Sequence, residues 1–130
     1  MEHQEHMKNR VVVLADVPIW VIPGLEKFYK SGAYATWFDG LIPEFENATE
    51  VEMHWVCLSK QVTEDLTHNA WNQKFHGLKR GKKSISILTG YWAERRKIRR
   101  RIEQLKPDIV HAWGTEDVYG LAGASWMETP

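Results

Sequence analysis

The chain is poor in residues that would fix it by covalent or metal chemistry. Cys57 is its one cysteine, so no intrachain disulfide forms, which suits a reducing compartment. No cluster has zinc-ligand spacing, and no serine or cysteine nucleophile motif is present. His3 and His6 sit in a polar tail and read as solvated, so no metal is expected. No apolar run approaches the roughly 18 residues of a membrane-spanning helix. The first residues also lack the apolar stretch and cleavage site of a signal peptide, so a cytoplasmic protein is expected. Net charge is zero, with 17 basic and 17 acidic residues, and the whole-molecule field gives no reason to expect nucleic acid. Glycine-rich phosphate fingerprints are missing too, since the first loop offers only Gly24 and Gly32.

Hydrophobic residues make up 43% of the 130 and charged residues 26%, the balance of a single globular domain. Residues 1–9 read as a disordered tail. Val11-Val12-Val13-Leu14 is apolar at every position, as in a central parallel strand spanning Arg10 to Ala15. A long loop punctuated by Pro18, Pro23, Gly24 and Gly32 follows. Tyr34 to Phe45 carries apolar residues at helical spacing, with Pro43 weakening its last turn. Val51 to Leu58 reads as a second strand and Gln73 to Lys79 as a short third, with the polar stretch Ser59 to Asn72 between them either starting a short helical turn at Thr63-Glu64-Asp65-Leu66 or forming an irregular connection. One helix is expected from about Ser84 to Lys106, with Ile85, Leu88, Trp92, Ile98, Ile102 and Leu105 on its buried face and Gly90 in its interior. Asp108 to Ala112 is the fourth strand, and a small-residue helix from Val118 to about Trp126 closes the pattern. Strands alternating with helices predict an α/β fold, a three-layer sandwich on a mostly parallel sheet. The pattern stops where another strand is expected, which predicts a sheet truncated at its C-terminal end, with an exposed edge open to self-association.

The densest signal is Lys106-Pro107-Asp108-Ile109-Val110-His111-Ala112-Trp113-Gly114-Thr115-Glu116-Asp117, which reads as helix stop, buried strand, turn and helix start. Ligands of open parallel sheets bind outside the carboxyl ends of the strands, so His111 to Asp117 mark a candidate site. His111 is placed either to act as a hydrogen-bonding group or general base, or to serve as a satisfied structural group at the strand end. Thr115 and Glu116 either bind hydroxyls or simply cap the helix. Trp20, Trp92 and Trp113 are candidates for stacking or anchoring, whereas Trp37, Trp55 and Trp71 suit a core. The basic run Arg95 to Arg101 reads as a solvated helix face, or as a membrane or anion contact through Arg96, Arg99 and Arg100.

The order of elements and the wording of the best segments resemble the amino-terminal Rossmann-like domain of family 4 glycosyltransferases with the GT-B architecture, which implies a Rossmann-like three-layer sandwich. The run from Lys106 to Glu116 is similar to the family's strand of type Lys-Pro-Asp-Val-Val-His and its turn. Arg10 to Asp16, the loop with Pro23-Gly24-Leu25, and Val51 to Leu58 support it. The resemblance implies that residues 10–130 are a partial acceptor-side domain of a retaining enzyme that moves a sugar from a nucleotide-sugar to a glycan or lipid-linked acceptor. It implies a catalytic role for His111 and substrate contacts from Pro23, Gly24, Trp113, Gly114, Thr115 and Glu116. Trp113 stands where many members carry a histidine, and the first loop lacks the family's paired glycines. No cofactor is implied beyond the nucleotide-sugar substrate. The donor-binding domain is absent from these residues, so the fragment is expected to be inactive alone. A noncatalytic flavodoxin-like binding module, recruited to a membrane or partner by its basic helix, is the alternative. A nucleic-acid-binding face on residues Lys79 to Arg101 is opposed by the neutral overall charge.

Overall fold

The computed structural model describes residues 9–28, 37–80 and 87–113. The expectations for the tail 1–8, Gly32, residues 34–36 and 84–86, Gly114 to Asp117 and the final helix fall outside the described residues. The strands are β1 (Asn9–Leu14), β2 (Val51–Ser59), β3 (Leu66–Ala70), β4 (Gln73–Lys79) and β5 (Ile109–Ala112); the α-helices are α1 (Trp37–Glu44) and α2 (Trp92–Leu105). Asn9, assigned to the tail on sequence, is the first residue of β1 and is paired in register with Val51.

The strands form one sheet in the order β3-β4-β2-β1-β5. β1 runs parallel to β2 and β5, β2 runs parallel to β4, and β3 returns antiparallel along β4. The architecture is therefore a small α/β fold with a mostly parallel sheet. Alternation along each strand divides the side chains between two faces. Val13, Met53, Trp55 and Phe75 point to one face, covered by Ile42 of α1 and by Val17, Ile19, Ile22 and Leu25 of the segment after β1. Val12, Leu14, Val56, Leu58 and Leu78 point to the other, beneath Ile98 and Ile102 of α2. Each fully buried aliphatic side chain stabilises the fold by about 1.5 to 3 kcal/mol, which explains why these apolar runs become central strands.

Three expectations need correction. The stretch read as irregular contains β3, joined to β4 by the two-residue turn Trp71-Asn72 with φ of 52° and 58°. Paired positive φ values are those of a tight hairpin turn, here without the glycine that announces it. Second, no single helix runs through position 90. Gly90 (φ 63°) and Tyr91 (φ 60°) are both left-handed, which breaks the helical hydrogen-bond ladder, and α2 starts only at Trp92. Third, Leu88 and Trp92 do not share the buried face, being 85% and 54% exposed; α2 buries Glu94, Ile98 and Ile102. At the other end, Lys106 adopts a left-handed conformation (φ 51°) and donates its N–H to the Ile102 carbonyl, and Pro107 follows, as a helix stop requires.

Candidate functional site

β1 is flanked by β2 on one side and β5 on the other, and the chain leaves β1 and enters β5 across opposite faces of the sheet. The reversal of strand order around β1 is where an open α/β sheet forms a crevice at its carboxyl edge. Trp113, just past β5, donates its backbone N–H to the Leu14 carbonyl at 2.8 Å, so the two strand ends are locked side by side. His111 pairs in register with Val13, and this parity puts Ile109, His111 and Trp113 on the α1 side of β5. Ile109 is 52% exposed, Trp113 is 41% exposed and His111 is exposed. The His111 and Trp113 rings stand edge to face, 5.3 Å apart between centroids at 68°. An imidazole and an indole open to solvent, side by side at a strand end, can offer an apolar ring face and a ring nitrogen to one ligand.

The loop with Pro23-Gly24-Leu25, whose substrate contacts the resemblance implies, lies elsewhere. Its chain crosses the α1 face from β1 towards β3, where His68 Nε2 donates to the Pro23 carbonyl at 2.7 Å. Gly24 (φ 97°) lies against the His68 ring, and its N–H donates to Glu26 Oε1 at 3.1 Å. β3 and β5 are the two outer strands in the described order, four spacings of about 4.8 Å apart. Pro23 and Gly24 therefore lie towards the opposite side of the described sheet from His111 and Trp113, and the Gly24 amide is already held by a carboxylate. Trp20 is half-buried and packs on the core, as does Trp71, while Trp55 is fully buried.

A second constellation lies along α2. Trp92, Arg96 and Arg100 recur at four-residue spacing and line an open groove of about 520 Å³ with Lys97, Arg101 and Leu78. The Arg96 guanidinium sits over the Trp92 ring at 5.3 Å. Lys97 Nζ donates to Asp65 Oδ1 and to the Lys79 carbonyl, and Arg99 pairs with Glu103. Of the three arginines singled out on sequence, Arg96 and Arg100 line the groove and Arg99 is held by its own ion pair.

Sequence reasoning missed a third cluster, a polar chain under α2. Arg101 Nη1 contacts His76 Nδ1 at 2.8 Å, His76 Nε2 contacts His54 Nδ1 at 3.0 Å, and His54 Nε2 contacts Glu52 Oε2 at 2.6 Å. Arg10 closes the chain on Glu52, at 3.0 Å from Nε to Oε2. His54 and His76 sit on the neighbouring strands β2 and β4, in segments that otherwise read as apolar, and that placement was the only available signal. Among the described residues no group of three His, Cys, Asp or Glu side chains is placed to hold a metal, and no helix is long and apolar enough to cross a membrane. No family model, curated protein or solved structure matches this chain, so its function is argued from its own residues.

Proposed function

We propose that the chain is the acceptor-side, Rossmann-like domain of a retaining sugar-transferring enzyme of GT-B architecture, with a glycan or lipid-linked saccharide bound over His111 and Trp113. The observation that carries this reading is the exposed His111–Trp113 pair at the carboxyl end of β5, beside the reversal of strand order around β1. The parallel strands β4-β2-β1-β5 follow the order of the first four strands of a doubly wound nucleotide-binding sheet, which supports the finer three-layer reading. A pyranose presents C–H groups to an indole face and hydroxyls to an imidazole nitrogen, and this pair suits both. His111 serves there as hydrogen-bond partner or general base to an acceptor hydroxyl, with Gly114, Thr115 and Glu116 adjoining in sequence. Donor binding is assigned to a second domain outside these residues, so the chain alone binds acceptor without transferring sugar.

Saturation-transfer NMR with a panel of neutral and charged oligosaccharides and a short-chain polyprenyl-phosphate sugar tests the reading. Binding that Trp113→Ala abolishes without lowering the melting temperature is the expected result. A panel in which no saccharide binds, together with a natural stop codon directly after Pro130 in the source transcript, would sink it.

A further inference from the structure

Although the whole chain is neutral, its positive charge is concentrated on α2, which carries six basic side chains against Glu94 and Glu103. Much of that charge is engaged within the fold. Arg101 contacts His76 and Thr67, Lys97 holds Asp65, and Arg99 holds Glu103. Arg96 and Arg100 instead face the open groove, in line with Trp92. A solvated helix face accounts for this basic stripe, but not for what adjoins it. Ile87 is 57% exposed, Leu88 85% and Trp92 54%, three of the five exposed large apolar side chains among the described residues. The left-handed pair Gly90-Tyr91 explains how they come to be outside: Tyr91 is anchored against the α2-side core, and the helical residues Ile87 and Leu88 before it are left in solvent.

Nucleic acid would engage the arginines and leave Ile87 and Leu88 in water. A bilayer interface takes both kinds of group, the apolar tips entering the boundary of headgroups and acyl chains, the guanidinium groups meeting phosphate, and an indole at headgroup level. We propose that the helical residues Ile87 and Leu88 and the Trp92-Arg96-Arg100 stripe dock the protein on an anionic lipid surface, with the groove beside α2 receiving a lipid phosphate. The direction of α2 ties this surface to the candidate site. Arg10, at the start of β1, holds the Leu105 carbonyl, and Lys97 holds the carbonyl of Lys79 at the end of β4. Trp92 therefore lies at the carboxyl end of the sheet, the end that also carries His111 and Trp113. The inference stands independently of the transferase reading; where both hold, the acceptor is presented from the membrane.

Co-sedimentation with phosphatidylcholine vesicles, with and without phosphatidylglycerol, is the test. Partition is expected only onto the anionic vesicles, and weaker by about 30-fold or more for Arg96→Glu/Arg100→Glu, since each basic group near such a surface contributes roughly a factor of five. Ile87→Asp/Leu88→Asp should lose about tenfold or more through removal of buried apolar area. Brominated lipids should quench fluorescence that Trp92→Phe removes. All these side chains are surface groups, and circular dichroism with thermal melts checks that the variants fold. Absence of partition onto anionic vesicles overturns the proposal. So does binding that heparin or duplex DNA matches and that Ile87→Asp/Leu88→Asp leaves unchanged, which would mark a plain polyanion face.

Discussion

His54 Nδ1 and His76 Nε2 lie 3.0 Å apart in two stacked imidazoles, centroids 5.2 Å apart and planes 22° from parallel, each at most 3% exposed. Their neighbours dictate the protons. Arg101 is only a donor, so His76 Nδ1 must accept, His76 Nε2–H must donate to His54, and His54 Nε2–H is left for Glu52. Donors and acceptors from Arg101 to Glu52 are thereby matched, Arg10 adds an ion pair at Glu52, and the chain joins α2 to β4, β2 and β1. Its place is towards the amino ends of the strands, remote from His111 and Trp113, so its role is to hold α2 to the sheet.

This pairing makes the fold acid-sensitive. Burial first, then the Arg101 charge, pushes His76 from its ordinary 6.5 down to about 3. Between these values the unfolded chain binds a proton that the folded chain refuses, so stability falls as pH falls, by up to about 1.4 kcal/mol per pH unit. Glu52 is held below its ordinary 4.5 by the His54 hydrogen bond, against the cost of burial, and by Arg10, so its stabilising share is present above 4.5 and is lost at lower pH. Urea midpoints measured from pH 8 to 4 should be level above about 7 and drop below 6.5. His76→Gln keeps both hydrogen-bonding roles without titrating and should flatten the part between 6.5 and 4.5. A slope in that window unchanged by the substitution would locate the titrating group elsewhere.

The buried parallel strands were legible in the sequence because two covered faces demand unbroken apolar runs such as Val11 to Leu14, and Pro107 announced the end of α2 by the donor it lacks. β3 was hidden because Leu66-Thr-His-Asn-Ala alternates only weakly in hydropathy, two of its three inward positions being filled by a histidine and an alanine, and its turn uses Trp71 where glycine is the usual signal. The break before Trp92 was hidden because Tyr91 is a poor advertisement for a left-handed residue. At the candidate site, His111 and Trp113 were legible from strand-end position. The separation of Gly24 from them was not, since it depends on a contact with His68 that is 44 residues further along the chain in a strand the pattern did not reveal.

Gly24 is a structural glycine twice over. Its φ of 97° disfavours any side chain, and a Cβ would lie 2.7 Å from the His68 ring. Gly24→Ala should therefore destabilise by about 1 to 3 kcal/mol in chemical denaturation. His68→Ala clears the space but not the backbone, so in that background the alanine should still cost about 1 kcal/mol. Equal costs in the two backgrounds would show that the ring yields freely.

Gln73 links Trp55 to α1. Its Oε1 accepts from the Trp55 indole N–H at 2.6 Å, and its Nε2 donates to the Ile42 carbonyl at 2.8 Å. Gln73→Leu keeps the volume and strips both partners in a buried setting, at about 2 to 4 kcal/mol. Trp55→Phe removes the indole N–H, so the double variant should be less costly than the sum of the singles by about 1 kcal/mol. Strict additivity in a double-mutant cycle would deny the bond its role.

Cys57 is the last test, because it reports opening of the sheet without any engineered probe. Burial, helped by the Asp16 charge, pushes its thiol up to about 12, and it is 2% exposed between two neighbouring strands. Thiolate is the reactive form, so the folded chain should resist iodoacetamide at pH 8 and react only through unfolding. The labelling rate should then rise with urea in parallel with the loss of far-ultraviolet circular dichroism. Asp16→Asn removes the lesser of the two upward influences and leaves burial in place, so it should not confer rapid labelling on the folded protein. Fast labelling of that variant without denaturant would mean that charge at the carboxyl end of β1, rather than closure of the core, protects the thiol.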